Sequence, residues 1–193
     1  MRKLLFFIVT CTCFCCNNRQ KKSNGLKEVK PKDVFPVGSF IAEQVRQVDS
    51  LKPALIKTFT MNGKTETTLA SQAEFKTLAD EFKDSDISDS ASRQKYKETS
   101  FADQSAPSVT LNYSTSDKTL EVQRIDVIIR PDTVQNDKVQ NIYIEKFTHR
   151  HDTSISKKLL WRADENLQVI TTTQTGKGSS ATSQLKISWE KQY

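Results

Sequence analysis

The sequence predicts an α+β domain: an antiparallel β-meander sheet with two N-terminal helices packed on one face. Three observations predict it. From Pro107 onward apolar residues occupy alternate positions, the period of a half-buried strand. Two earlier stretches repeat apolar residues at helical spacing. All four cysteines fall within the first sixteen residues, so no disulfide framework can replace a hydrophobic core.

Each element has a local cause. Ile41, Val45, Val48 and Leu51 form a helical stripe, with Ser39 as cap and Pro53 as stop, so a helix is expected over 39–51. Leu55, Phe59 and Met61 then alternate. Asn62-Gly63 follows as a hairpin turn, because both residues tolerate positive φ, and Thr65 to Leu69 returns. Ser71-Gln72-Ala73-Glu74 is a capping box, and Phe75, Leu78, Ala79 and Phe82 make the buried stripe of a second helix. That helix should end near Lys83, since Asp84, Asp86 and Asp89 oppose the dipole at a helix C-terminus.

In the second half, Val109, Leu111 and Tyr113 alternate, then Leu120 and Val122. Ile125, Val127 and Ile129 alternate in the opposite phase, so a β-bulge is expected around Arg124. Ile142 and Ile144, Leu159 and Trp161, Leu167 and Val169, then Leu185, Ile187 and Trp189 continue the pattern. Turn-forming stretches separate them at Ser116–Lys118, Pro131-Asp132, Ala163–Asn166 and Gly176–Ser183.

Residues 1–16 read as a lipoprotein signal peptide. Arg2 and Lys3 form the charged head, Leu4 to Val9 the apolar run, and the segment is too short to span a bilayer. Cys16 is the expected lipidation site, because it ends the apolar stretch and Asn17-Asn18-Arg19 after it is polar. Phe14 and Cys15 depart from the usual small residues before an acylated cysteine, which keeps Cys15 and Cys13 as alternatives. Several acyl chains at one cysteine anchor stably where a single chain is marginal. Asn17 stands where Asp would favour inner-membrane retention, so the expected location is the periplasmic face of the outer membrane.

Residues 17–37 read as a basic flexible tether and 38–193 as a single domain. The first 37 residues hold the whole net charge of +6, leaving the domain neutral. Nucleic acid is therefore excluded as an expected partner. A basic tether beside a lipid anchor is drawn instead to anionic headgroups.

The remaining motifs carry little chemistry. His149 and His151 would share one strand face as two metal ligands, but Asp152 would point away and no cysteine is at hand to complete a site. Asp84-Ser85-Asp86-Ile87-Ser88-Asp89 opens like a calcium loop, yet Asp89 and Lys95 stand where an EF-hand needs Gly and Glu. Gly176-Lys177-Gly178-Ser179 lacks the spacing of a phosphate loop. Tyr193 after Leu185, Ile187 and Trp189 has the look of a terminal barrel strand, but the other strands are too polar on their second face for a lipid-facing band. No catalytic residue, metal site or cofactor is assigned. Ser90 and Thr133 sit in Asp-Ser-Ala and Asp-Thr-Val, which resemble Bacteroidota O-glycosylation sites.

Phe82-x-x-x-Asp86-Ile87-Ser88-Asp89, Tyr96-Lys97 and Phe101, followed by Leu120-x-Val122 and Ile142-Tyr143-Ile144-Glu145, resemble a family of small Bacteroidota cell-envelope lipoproteins with no assigned activity. The resemblance spans most of 40–190. It implies an envelope lipoprotein and carries over no functional residues.

Function is thus expected to be non-catalytic: a membrane-anchored periplasmic lipoprotein with a binding or structural role, its partner an envelope protein. The alternative is a carrier of an apolar ligand or lipid in a cavity between sheet and helices. A core filled around Trp161 and Trp189 favours the first, and a lined apolar cavity favours the second.

Overall fold

The structure, a computed structural model, describes residues 34–103, 105, 107–131, 137–176 and 178–189. Cys16 and the other cysteines, most of the tether, Thr133 and Tyr193 lie outside the described residues. The chain runs α1 (Val37–Leu51), β1 (Leu55–Met61), β2 (Lys64–Leu69), α2 (Gln72–Lys83), α3 (Ser90–Arg93), β3 (Lys97–Asp103), β4 (Ser108–Ser114), β5 (Val122–Arg130), β6 (Lys138–Arg150), β7 (Thr153–Arg162), β8 (Asn166–Thr175) and β9 (Ser180–Trp189).

The strands form one open sheet in the order β2-β1-β9-β8-β7-β6-β5-β4-β3, antiparallel throughout. From β3 to β9 it is a meander. The N-terminal hairpin then adds beside the C-terminal strand, so the two ends of the domain meet. The expected bulge is present, as a register shift between Val122 and Arg124. A second shift falls between Ile128 and Ile129.

Residues opposite one another in an antiparallel ladder share a face. One row therefore runs Leu111, Val127, Ile142, Trp161, Leu167, Ile187, and the next runs Tyr113, Ile125, Ile144, Leu159, Val169, Leu185. All of these are buried except Leu185, which is half-buried against the same core. The other face reads Thr99, Asn112, Asp126, Tyr143, Leu160, Gln168, Lys186, Thr58, Thr67 along one row, which suits contact with water.

α2 forms as the capping box dictates. Ser71 Oγ accepts from Glu74 N, and Glu74 reaches back to Ser71 N. Its Phe75 and Phe82 are fully buried and meet the sheet's two tryptophans. Phe75 stands edge-on to Trp189 at 5.3 Å, and Phe82 edge-on to Trp161 at 5.3 Å. The tryptophans lie 5.7 Å apart. This aromatic block closes the centre of the core.

α1 opens at Val37, two residues before the expected Ser39. Its first turn is held by a distant carboxylate in place of a local cap: Gly38 N donates to Asp86 Oδ2 at 2.6 Å. A Cβ at Gly38 would sit 2.7 Å from that oxygen, so a larger residue there would force the Asp86 carboxylate to shift. Further along, buried Gln44 grips the β7–β8 turn: its Oε1 accepts from Asp164 N at 3.0 Å and its Nε2 donates to Asp164 Oδ1. Val34 and Val37 belong to the core, which therefore reaches to the first described residue.

Candidate functional site

Followed toward β2, the core rows lose their apolar bulk. Ile187 is followed across the ladder by Lys57 and Thr68, and Leu185 by Phe59 and Glu66. α2 overhangs this end, and a space is left beneath it. The result is a groove of about 680 Å³ between α2 and strands β1, β2 and β9. Its floor is Phe59, Leu185 and Ile187, its helix wall Ala73, Thr77 and Leu78, and Glu66 and Thr68 mark the outer end. The lining is mainly apolar. A volume of several hundred cubic ångströms is the size range of small-ligand sites.

Two ion pairs flank the groove. Glu74 and Glu81 stand seven residues apart on α2, hence on one side of the helix. Lys57 Nζ of β1 meets Glu74 at 2.6 Å, and Lys157 Nζ of β7 meets Glu81 at 2.6 Å. The Lys57 contact and the Ser71 cap hold the Glu74 carboxyl down, from its ordinary 4.5 to about 2. Each glutamate thus has a lysine as its partner. The arrangement suits an apolar body in the groove with a polar end among these charges. It presents no activated nucleophile.

The sheet's opposite face carries a polar cluster. Arg124 meets Asp126 through Nη2 to Oδ2 at 2.6 Å, and Asn112 Nδ2 donates to Asp126 Oδ1 at 2.5 Å. Tyr143 Oη donates to Glu145 at 2.6 Å. Burial, followed by that carboxylate, pushes the Tyr143 hydroxyl well above its ordinary range, so it stays protonated. These groups satisfy one another across β4, β5 and β6, and read as ladder stabilisation.

The sequence candidates fall in various places. His149 lies on β6 with Nδ1 3.0 Å from Ser154 Oγ, whereas His151 sits in the β6–β7 turn at φ 52°. The two rings therefore do not share a strand face. Among the described residues no three His, Cys, Asp or Glu side chains gather as an ion would need. The acidic run is engaged by backbone: Asp86 takes Gly38 N and Ser88 N, and Asp89 caps α3 through Ala91 N and Ser92 N. Ser90 is exposed at the first position of α3, where a loop was expected. Gly176 N donates to Asp152 O at 2.6 Å, joining two hairpin ends.

Sequence reasoning missed the groove residues Lys57, Glu66, Thr68 and Thr77. The one available signal was the Glu74–Glu81 spacing on the polar side of α2. The β1–β9 pairing that completes the groove has no local trace.

Comparison with protein-family models, with curated proteins and with solved structures finds no match. Among the described residues no helix is long and apolar enough to cross a membrane.

Proposed function

We propose that the chain is a non-catalytic lipoprotein of the bacterial cell envelope, of the kind it resembles in sequence. It is anchored through Cys16 to the periplasmic face of the outer membrane, and its folded domain binds a partner instead of transforming one. Both helices are taken to cover the same sheet face, α2 through its aromatic contacts and α1 through its packing on α2 and its grip on the Asp164 turn. The observation that carries the binding role is the groove beneath α2, open beside the buried core.

A second reading is favoured by the apolar floor of Phe59, Leu185 and Ile187: a carrier that holds one acyl chain there. Mature chain should then take up a fluorescent fatty-acid analogue saturably, in competition with unlabelled fatty acid. Uptake that never saturates would leave only the structural role. The anchor has its own test. Cys16→Ser should move the protein from the membrane fraction to the soluble fraction, because nothing after residue 16 supplies an apolar span. Retention of that variant in washed membranes would refute Cys16 as the acceptor.

A further inference from the structure

Among the described residues the open sheet has two terminal strands, β2 and β3, and an unpaired edge is a template for another strand. The two edges differ. β3 is seven residues long and pairs with β4 without a break, from Lys97 opposite Ser114 to Asp103 opposite Ser108. It contains no proline and no bulge, two of the usual devices that block edge pairing. Phe101, on the sheet face away from the aromatic core, is 67% exposed, while on the other edge strand Leu69 is 72% exposed.

The charge order of β3 is self-complementary. A two-fold axis through its central residue, Ser100, sets Lys97 opposite Asp103 of a second copy, twice, while Asp103 Oδ1 keeps the Ser105 N and Oγ hydrogen bonds it accepts within its own chain. Glu98 then faces Ala102, meeting no like charge, and Thr99 faces Phe101. The two Phe101 rings fall on the same face at diagonal positions, within the reach of aromatic side chains. Full-length self-pairing of β2 does nothing similar: Lys64 would face Leu69, and Glu66 would face Thr67. Joining β2 of one copy to β3 of the next would leave a free edge at each end and grow without limit, whereas the β3 pair closes.

We propose that β3 is a homodimer edge: two copies of this chain join through antiparallel β3 strands about a two-fold axis at Ser100, with Lys97–Asp103 pairs at both ends and Phe101 rings between. The surface is small, so the pair is weak and exchanging. It is independent of the groove, which lies at the other edge of the sheet.

All native cysteines lie in residues 11–16, which permits a direct test. The full chain is prepared in detergent with Cys11→Ser, Cys13→Ser, Cys15→Ser, Cys16→Ser and Ser100→Cys, then mildly oxidised. Cα atoms of residues facing each other across an antiparallel pair are within disulfide reach. A disulfide dimer should form rapidly. The same background with Glu66→Cys in place of Ser100→Cys reports random encounter and should cross-link far more slowly. Adding Lys97→Asp sets carboxylates opposite one another and should slow the Ser100→Cys dimer roughly tenfold. Adding Asp103→Lys as well should restore it. Phe101→Ser, at an exposed position outside the core, should also slow cross-linking without changing the melting temperature. Equal rates for the Ser100→Cys and Glu66→Cys chains would overturn the proposal, as would insensitivity to the charge changes and to Phe101→Ser together.

Discussion

Glu74 shows how much one side chain carries here. It closes the capping box, bonds Lys57, and so ties the start of α2 to β1. Its carboxyl titrates at about 2 in the folded chain, against an ordinary 4.5. A lowered carboxyl contributes stability that is present above the unfolded value and lost as pH falls through the folded one. Thermal melts should therefore lose stability between pH 4.5 and about 2, and Glu74→Gln should flatten that part of the profile. An unchanged acid limb in Glu74→Gln would assign the loss elsewhere. The group is exposed, so added salt should shrink the effect. The capping role was readable from Ser71-x-x-Glu74, because it is local. The Lys57 contact was not, since it joins residues 17 apart. Asp86 makes the same point: a calcium-like carboxylate proves to be the acceptor for Gly38 N, 48 residues away.

At the scale of elements, the periodicities were reliable wherever one face is buried. α2 ends at Lys83 as expected, the Asn62-Gly63 turn has φ of 51° and 74°, and the phase change at Arg124 is a real register shift. What was missed has a common cause. β3 is an edge strand, exposed at most positions, so no alternation marks it. α3 is a single turn made by Asp89 capping. α1 opens early because its first turn is satisfied from outside the helix. β9 begins at Ser180, inside the expected loop, since its first residues, Ser180 to Ser183, carry no large apolar side chain to show alternation. The Trp189 ring contacts both Phe75 and Trp161, so it joins β9, α2 and β7. Trp189→Ala should cost about 3–5 kcal/mol, as large-to-small core changes do. For a domain of this size that lowers the melting temperature by roughly 10 °C. A loss under about 1 kcal/mol would mean that the aromatic block is not a packed core.

For the whole molecule, the α+β class and the antiparallel sheet were legible from two periods in one chain. The strand order was not. Antiparallel neighbours were expected in sequence order, yet β1 pairs with β9, and that long-range step puts Lys57 and Phe59 beside Leu185 and Ile187. The groove follows from it. The sheet continues two strands beyond β9, where Lys57, Thr68 and Glu66 interrupt the apolar rows, and α2 is tied to β1 there by the Lys57–Glu74 pair. The buried core includes Trp161 and Trp189, and the groove opens beside it toward β1 and β2.

The central claim is that this groove is a binding site. Thr68 is exposed at its outer end and takes no part in the core, so Thr68→Trp places a large ring in the space without removing any packing. The decisive measurement is titration of mature wild-type and Thr68→Trp chains with a fluorescent fatty-acid analogue, alongside their melting curves. The account predicts saturable binding by the wild type, loss of at least tenfold in affinity by the variant (about 1.4 kcal/mol), and equal melting temperatures. Identical titrations of two equally folded chains would contradict it.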